Sequence, residues 1–333
     1  MPNITAEALH KLTTQILVSS GADDENAKRV ADGLVLADLS GVATHGVFHL
    51  NRYVEEVNEG QTLPRAKPEM VTETPTSALV RGNWTFGFVS AMYALEIAMD
   101  KAEKQGMAIV SLVEANHIGR LGEYAEVAAA RGMASQIWAS GQGVEEPAAV
   151  PYGGAKPILH TNPIAIGVPS GEEPPMIIDF ATTVVSGSKV IMANDAGKEI
   201  PQGLIVDSEG RDTTDPGILL NGGAHLPFGG HKGYAIMLAD EFFGRIFSGA
   251  DAYSDTERGG PILRHQGVTF IVFKADLFQP IDSFGRGVDD LLRQIRNIPP
   301  APGFKEVMAP GDLENRSRLK RRLDEVIEVP DLV

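Results

Sequence analysis

The sequence predicts an α/β fold entered through an N-terminal helical segment. Apolar residues recur at helical spacing from Leu9 through Val57, and β-branched strand runs alternate with helical runs from Ser77 onward. The third observation is a missing signature. Gly141-Gln142-Gly143-Val144-Glu145-Glu146 lacks a third glycine and runs into Pro147, so it does not open a Rossmann helix. With 333 residues, 43% of them hydrophobic, the chain can form one large α/β unit or two to three interlocked lobes.

Thr5 can cap a first helix through Ser19 that turns Leu9, Leu12, Ile16 and Leu17 to one side and breaks at Gly21. Asp23 or Asp24 caps a second, with Ala27, Val30, Ala31, Leu34 and Val35 in helical register, ending at Gly41. A third helical run spans His45 to Val57, and a proline-rich connector runs from Pro64 to Pro75. Ser77–Arg81 reads as a strand, Ser90–Gln105 as a helix, Met107–Val113 as a strand, Leu121–Arg131 as a helix and Met133–Ala139 as a strand. Pro163–Pro169, Met176–Phe180 and Gly267–Phe273 are further strands. Tyr234–Phe247 is an apolar helix for the core or a partner, and Ser317–Glu328 a charged terminal helix.

Composition removes several function classes. Forty-four acidic residues against 29 basic give a net charge of -15, which repels nucleic acid and anionic lipid. The absence of cysteine removes disulfides, thiolate nucleophiles and cysteine metal sites. No apolar run approaches the roughly 20 residues that span a bilayer, and the first residues lack a signal-peptide pattern, so a cytoplasmic protein is expected.

Three histidine loops point to one site: Thr44-His45-Gly46, Asn116-His117-Ile118-Gly119 and Gly229-Gly230-His231-Lys232-Gly233-Tyr234. Glycine lets backbone approach a ligand, and histidine changes charge nearest neutrality, so the pairing suits reversible proton transfer beside a cofactor. Asn116 and His117 follow a strand's carboxyl end, where open α/β sheets bind ligands. Each motif has a plainer reading: a helix-start or loop histidine, a solvated turn at His231-Lys232, a structural carboxylate at Asp179. GxxxxGK[ST], GxSxG and HExxH are all absent.

Taken in order and spacing, the motifs resemble the malate/L-lactate dehydrogenase family of non-Rossmann NAD(P)-dependent oxidoreductases, which includes sulfolactate, ureidoglycolate, diketogulonate and Δ1-piperideine-2-carboxylate enzymes. Ala37-Asp38, Gly41, Arg52-Tyr53, Thr161-Asn162-Pro163-Ile164-Ala165, Ile178-Asp179-Phe180-Ala181-Thr182-Thr183, Asp215-Pro216 and Pro310-Gly311-Asp312 carry the resemblance beside the histidine loops. It implies a mixed-sheet fold with a cleft between lobes, and a homodimer. The regions would be residues 1-75 with the first histidine, 76-310 for cofactor and substrate, and a 311-333 segment packing back on the core.

The resemblance also implies roles. His45 or His117 would move the proton, with Thr44 and Asp179 in a relay through His45. His49, Arg52, Tyr53 and Asn116 would meet a small carboxylate substrate. Ile178, Asp179, Phe180, Ala181, Thr182, Thr183, His231, Lys232, Gly311, Asp312 and Leu313 would contact NAD, with NADP as the alternative, and no metal is assigned. Many family members carry arginine four residues after the first histidine, where this chain has His49. That departure favours a bulkier 2-keto acid or a cyclic imino acid over simple substrates. Two rivals stand beside this reading: a metal hydrolase gripping one ion with His45 and His49 at i, i+4 spacing, and a binding protein without turnover.

Overall fold

Thr5 caps the first helix by accepting the Ala8 amide at 3.2 Å, which starts the chain as its sequence suggests. The computed structural model describes residues 3–323 and 327–328. A short strand β1 (Asn3–Ile4) precedes α1 (Ala6–Ser19), and Asp23 caps α2 (Asp24–Leu39). The third helical run departs from expectation. It is two short 3-10 turns, Ala43–His45 and Val47–His49, before α3 (Leu50–Asn58), because the chain is extended at Gly46 (φ -89°, ψ -155°). His45 and His49 therefore do not share one face of an α-helix.

The connector from Pro64 to Pro75 contains a strand, β2 (Glu69–Glu73), that hydropathy could not reveal because all five residues are exposed at a sheet edge. β3 (Ser77–Arg81), α4 (Gly87–Gln105) and β4 (Met107–Val113) form a parallel crossover unit, and α5 (Leu121–Ala130), β5 (Met133–Ser140), β6 (Pro163–Val168) and β7 (Met176–Ala181) follow. A lobe made of α6 (Gly187–Asp195) and three two-residue strands, β8 (Ile205–Val206), β9 (Asp212–Thr213) and β10 (Ala224–His225), went unpredicted; two residues are too few for any periodicity.

Next come α7 (His231–Glu241), a π-helical turn at Phe242–Ile246, a single-turn α8 (Gly260–Leu263) and β11 (Gly267–Lys274). α9 (Ile281–Arg296) was also unpredicted. It contains two glycines and buries only Leu292 among its aliphatic side chains, while its Asp289 accepts the amides of Gly171, Glu172 and Glu173. α10 (Asp312–Leu323) starts five residues before the expected helix. Of the expected remainder, 324–326 lie outside the described residues, and β12 (Ile327–Glu328) is a strand paired with β1.

The main sheet runs β2-β3-β4-β11-β5-β6-β7. β11 lies antiparallel between β4 and β5, so the two strands that look consecutive in the sequence are separated by one from far down the chain. The sheet is therefore mixed. Leu95 and Met99 of α4 and Tyr124 of α5 pack on Val110, Leu112, Ile137 and Phe270, and a second cluster of Leu17, Leu34, Val47, Tyr53 and Phe88 seats the N-terminal helices beside it. Among the described residues no helix is long and apolar enough to cross a membrane.

α7 brings one polar group into this core. Asp240 is fully buried against β5 with no well-formed hydrogen bond to either carboxyl oxygen among the described residues, so burial, with Glu241 adding to it and the nearby Ala139 amide opposing it, raises its pKa well above the ordinary value. The folded state then holds a proton that the unfolded state releases, so the stability Asp240 permits is full below the ordinary carboxylate pKa and lost as pH rises toward the folded value. Asp240→Asn is expected to abolish this slope and so to raise stability relative to wild type as pH rises. Urea unfolding midpoints across pH test it, and a wild-type slope retained in the variant refutes it.

Candidate active site

Asp38 builds the first histidine turn. Its carboxylate accepts the Val47 amide at 2.9 Å and lies so close to Gly46 that any β-carbon there would overlap it, which explains glycine after His45. Burial raises the Asp38 pKa to about 6. The second histidine loop leaves β4 through Glu114 at φ 52° and is held by Asn116, whose amide donates to the carbonyls of Trp84 (2.9 Å) and Thr85 (3.1 Å). Asn116 thus braces the loop, with its Oδ1 unpartnered.

These two turns bring three imidazoles together. His45 stacks on His117 with centroids 6.0 Å apart, and His49 lies 5.0 Å from His117 and 6.2 Å from His45. Tyr53, buried and held neutral by that burial, shares a 2.6 Å hydrogen bond with His117 Nδ1. A neutral phenol can donate or accept, so it orients the ring in either tautomer. Burial, with Arg120 adding to it, lowers the His45 pKa to about 4. Burial and then His45 and Arg52 bring His49 to about 4 as well, and burial beside His49, Arg52 and His45 carries His117 well below its ordinary value. Burial thus favours the neutral form of all three rings, the form able to accept a proton.

Thr44 Oγ1 meets His45 Nδ1 at 3.2 Å, but no hydrogen bond joins His45 to Asp179 among the described residues. The Asp179 carboxylate accepts the Gly122 amide at 2.7 Å, and burial raises its pKa to about 6 against the opposing charge of Arg120. Arg120 is the neighbour both share. It is 4% exposed, bonded to Glu126 at 2.8 Å, and its Nε has no partner among the described residues. Sequence reasoning missed it, although it stands directly after Ile118-Gly119. Arg52 pairs with Glu56 at 2.7 Å and lies near enough to His49 and His117 to depress both.

The expected cofactor residues fall into two groups. Thr182 Oγ1 donates to the carbonyls of Thr161 and Asn162, and Thr183 Oγ1 to that of Val185, so these hydroxyls shape the end of β7. Phe180 is 38% exposed and packs edge-on to Phe228, beside half-buried Ile178 and Ala181. Asp312 is committed elsewhere: Arg296 grips it at 2.7 and 3.0 Å and the Ala309 amide at 2.8 Å, while Gly311 packs on Ile177 and Leu313 is 61% exposed. His231 and Lys232 are exposed on the first turn of α7, which has no side-chain cap and follows two glycines at φ 58° and 63°. Uncapped amides with an adjacent lysine fit a phosphate group.

A family model described as malate/L-lactate dehydrogenase matches residues 4–333. The L-sulfolactate dehydrogenase of Methanocaldococcus jannaschii is 36% identical over 314 residues, covering 94% of this chain and 89% of its own. The ureidoglycolate dehydrogenase (NAD(+)) of Escherichia coli strain K12 is 29% identical, covering 99% and 93%. A solved structure of sulfolactate dehydrogenase from Methanocaldococcus jannaschii superposes with a TM-score of 0.88 at 34% identity, covering 99% of this chain and 94% of that one.

Proposed function

The chain belongs to the malate/L-lactate dehydrogenase family and is a hydroxy-acid oxidoreductase, and on that premise we propose that it uses NAD to interconvert a 2-hydroxy acid and its 2-keto acid, with His117 moving the proton. The neutral cluster of His45, His49 and His117, anchored by the 2.6 Å bond to Tyr53, is the observation that carries this reading.

The nicotinamide supplies or removes the hydride. In reduction, C2 of the keto acid accepts that hydride with its electron pair while the carbonyl oxygen takes a proton from His117 Nε2; oxidation runs the same transfers backward. Tyr53 stays bonded to Nδ1 throughout and keeps the ring aimed. The low proton affinity of the cluster makes His117 a strong acid once charged and a ready base only toward a well-placed hydroxyl. Arg52 and Arg120 bring positive charge to meet the substrate carboxylate. Ile178–Thr183 would hold the nicotinamide end of the cofactor, and His231 and Lys232 its phosphate at the start of α7. Leu238, Phe242, Ile246 and Phe247 stay exposed along α7 and the turn after it, an apolar face suited to a second copy of the chain.

His49 sets the substrate range. A neutral imidazole offers less to a carboxylate than the bidentate arginine fork, so wild-type protein is expected to capture pyruvate and oxaloacetate weakly and a larger 2-keto acid better. Absorbance assays with NADH and NADPH against pyruvate, oxaloacetate, sulfopyruvate, diketogulonate and Δ1-piperideine-2-carboxylate test the reading. His49→Arg should lower KM for the two simple acids by about tenfold or more, the worth of a charge-assisted contact. An unchanged KM, or efficient wild-type use of pyruvate at alkaline pH, would remove His49 from the carboxylate site.

A further inference from the structure

The Gly141-Gln142-Gly143 segment, which fails as a dinucleotide fingerprint, has another task. Gly141 sits at φ 99° where any β-carbon would overlap the His265 carbonyl, and one at Gly143 would come within 2.7 Å of the Leu159 carbonyl carbon. The chain leaving β5 is thus pressed between two other segments, and Gln142 points its side chain inward with 9% exposure. There it meets Gln266, 2% exposed at the head of β11.

Their hydrogen bonds form one directed chain. Gln266 Nε2 donates to the carbonyls of Ala115 (3.2 Å) and Asn116 (2.9 Å), which fixes its amide orientation because a carbonyl can only accept. Its Oε1 therefore accepts from Gln142 Nε2 at 3.1 Å, and Gln142 Oε1 accepts from the Thr161 hydroxyl at 3.2 Å. The Thr161 carbonyl in turn accepts from the backbone and hydroxyl of Thr182 at 2.9 and 3.1 Å. One end of the chain is the backbone immediately before His117. The other is the end of the Ile178–Thr183 stretch. Residues beside the chain of bonds adopt left-handed backbone, Glu114 at φ 52° before the His117 loop and Asn162 at φ 39° after Thr161, states that neighbours must hold.

We propose that Gln142 and Gln266 are positioning residues that set the distance between His117 and the nicotinamide side of the cleft. This rests on the functional reading above. The proton would come from His117 and the hydride from a nicotinamide held beside Ile178–Thr183, reaching adjacent atoms of one C=O bond, so the spacing of these two parts of the chain must hold to a fraction of an ångström. The amide pair is a side-chain connection that spans it from beneath, beside the Asp179 carboxylate that accepts the Gly122 amide farther along the chain.

Gln142→Met, Gln266→Met and the double variant test this with the full-length protein. Each single change should lower kcat by about tenfold to a hundredfold, with NADH affinity from fluorescence titration within about twofold of wild type. The double variant should be no worse than the weaker single, since either change breaks the same bridge. Urea midpoints of the cofactor-free protein should fall by less than the sum of the singles, because the Gln142–Gln266 bond is lost in both while the bonds to Thr161, Ala115 and Asn116 are lost separately. Gln142→Glu should be impaired at neutral pH and recover as pH falls, because only the protonated carboxyl can donate to Gln266 Oε1. If Gln266→Met fails to fold, Gln142→Met decides, since it leaves the bonds to Ala115 and Asn116 intact. Unchanged kcat, additive losses, or a loss confined to NADH affinity would overturn the proposal. A wild type that reduces none of the acids would instead sink the functional reading, and the urea cycle would then decide the bridge alone.

Discussion

His117→Ala is expected to lower turnover by about a hundredfold to ten-thousandfold, the usual cost of losing a general acid-base, while NADH affinity stays near wild type. The ring lies at the centre of the cluster, 5.0 Å from His49 and 6.0 Å from His45, with Tyr53 bonded to its far nitrogen. Tyr53→Phe should cost less, because it loosens the ring without removing the proton carrier. The pH profile provides a second measurement. Oxidation needs the neutral imidazole of His117, whose proton affinity burial carries well below the ordinary value, so kcat/KM for the alcohol should hold well below the ordinary histidine range before it falls. Full activity of His117→Ala alongside an acid limb near 6.5 would remove His117 from the chemistry; full activity in both His117→Ala and His45→Ala would end the mechanism.

Arg120→Met should have the largest effect on stability. Arg120 shares Glu126 with Arg318 of α10, each bond 2.8 Å, so one carboxylate ties the His117 loop to the last helix. Removing a buried partner strands the opposing charge, at a cost of roughly 3–5 kcal/mol; Arg318 still covers one Glu126 oxygen, which places the expectation at about 3. Electrostatics shift as well. Without the neighbouring cation His45 binds its proton more readily and Asp179 holds its own more tightly, so the pH at which the His45 ring protonates, read by NMR, should move upward. A urea midpoint and a His45 titration both matching wild type would show that Arg120 neither braces the loop nor tunes the site.

The histidine loops, the absent Rossmann fingerprint and most element boundaries follow from local signals: a capping Thr5 or Asp23, a glycine after a helix, β-branched runs of strand length. Such signals act over a few residues, so one sequence carries them in full. They are silent where little is buried, as in exposed β2, and where an element is only two residues long, as in the lobe of β8, β9 and β10.

The sequence by itself determined which residues could do proton chemistry and that they sit on loops beside strands and helices. Only the tertiary structure decided their partners. The insertion of β11 between β4 and β5 brings Gln266 under the His117 loop from 150 residues away, and Arg120, not His45, stands beside Asp179. The physical reason is that pairing across a sheet is paid in the burial of whole strand faces, which depends on every strand at once, so no local pattern records which distant amide will meet which carbonyl.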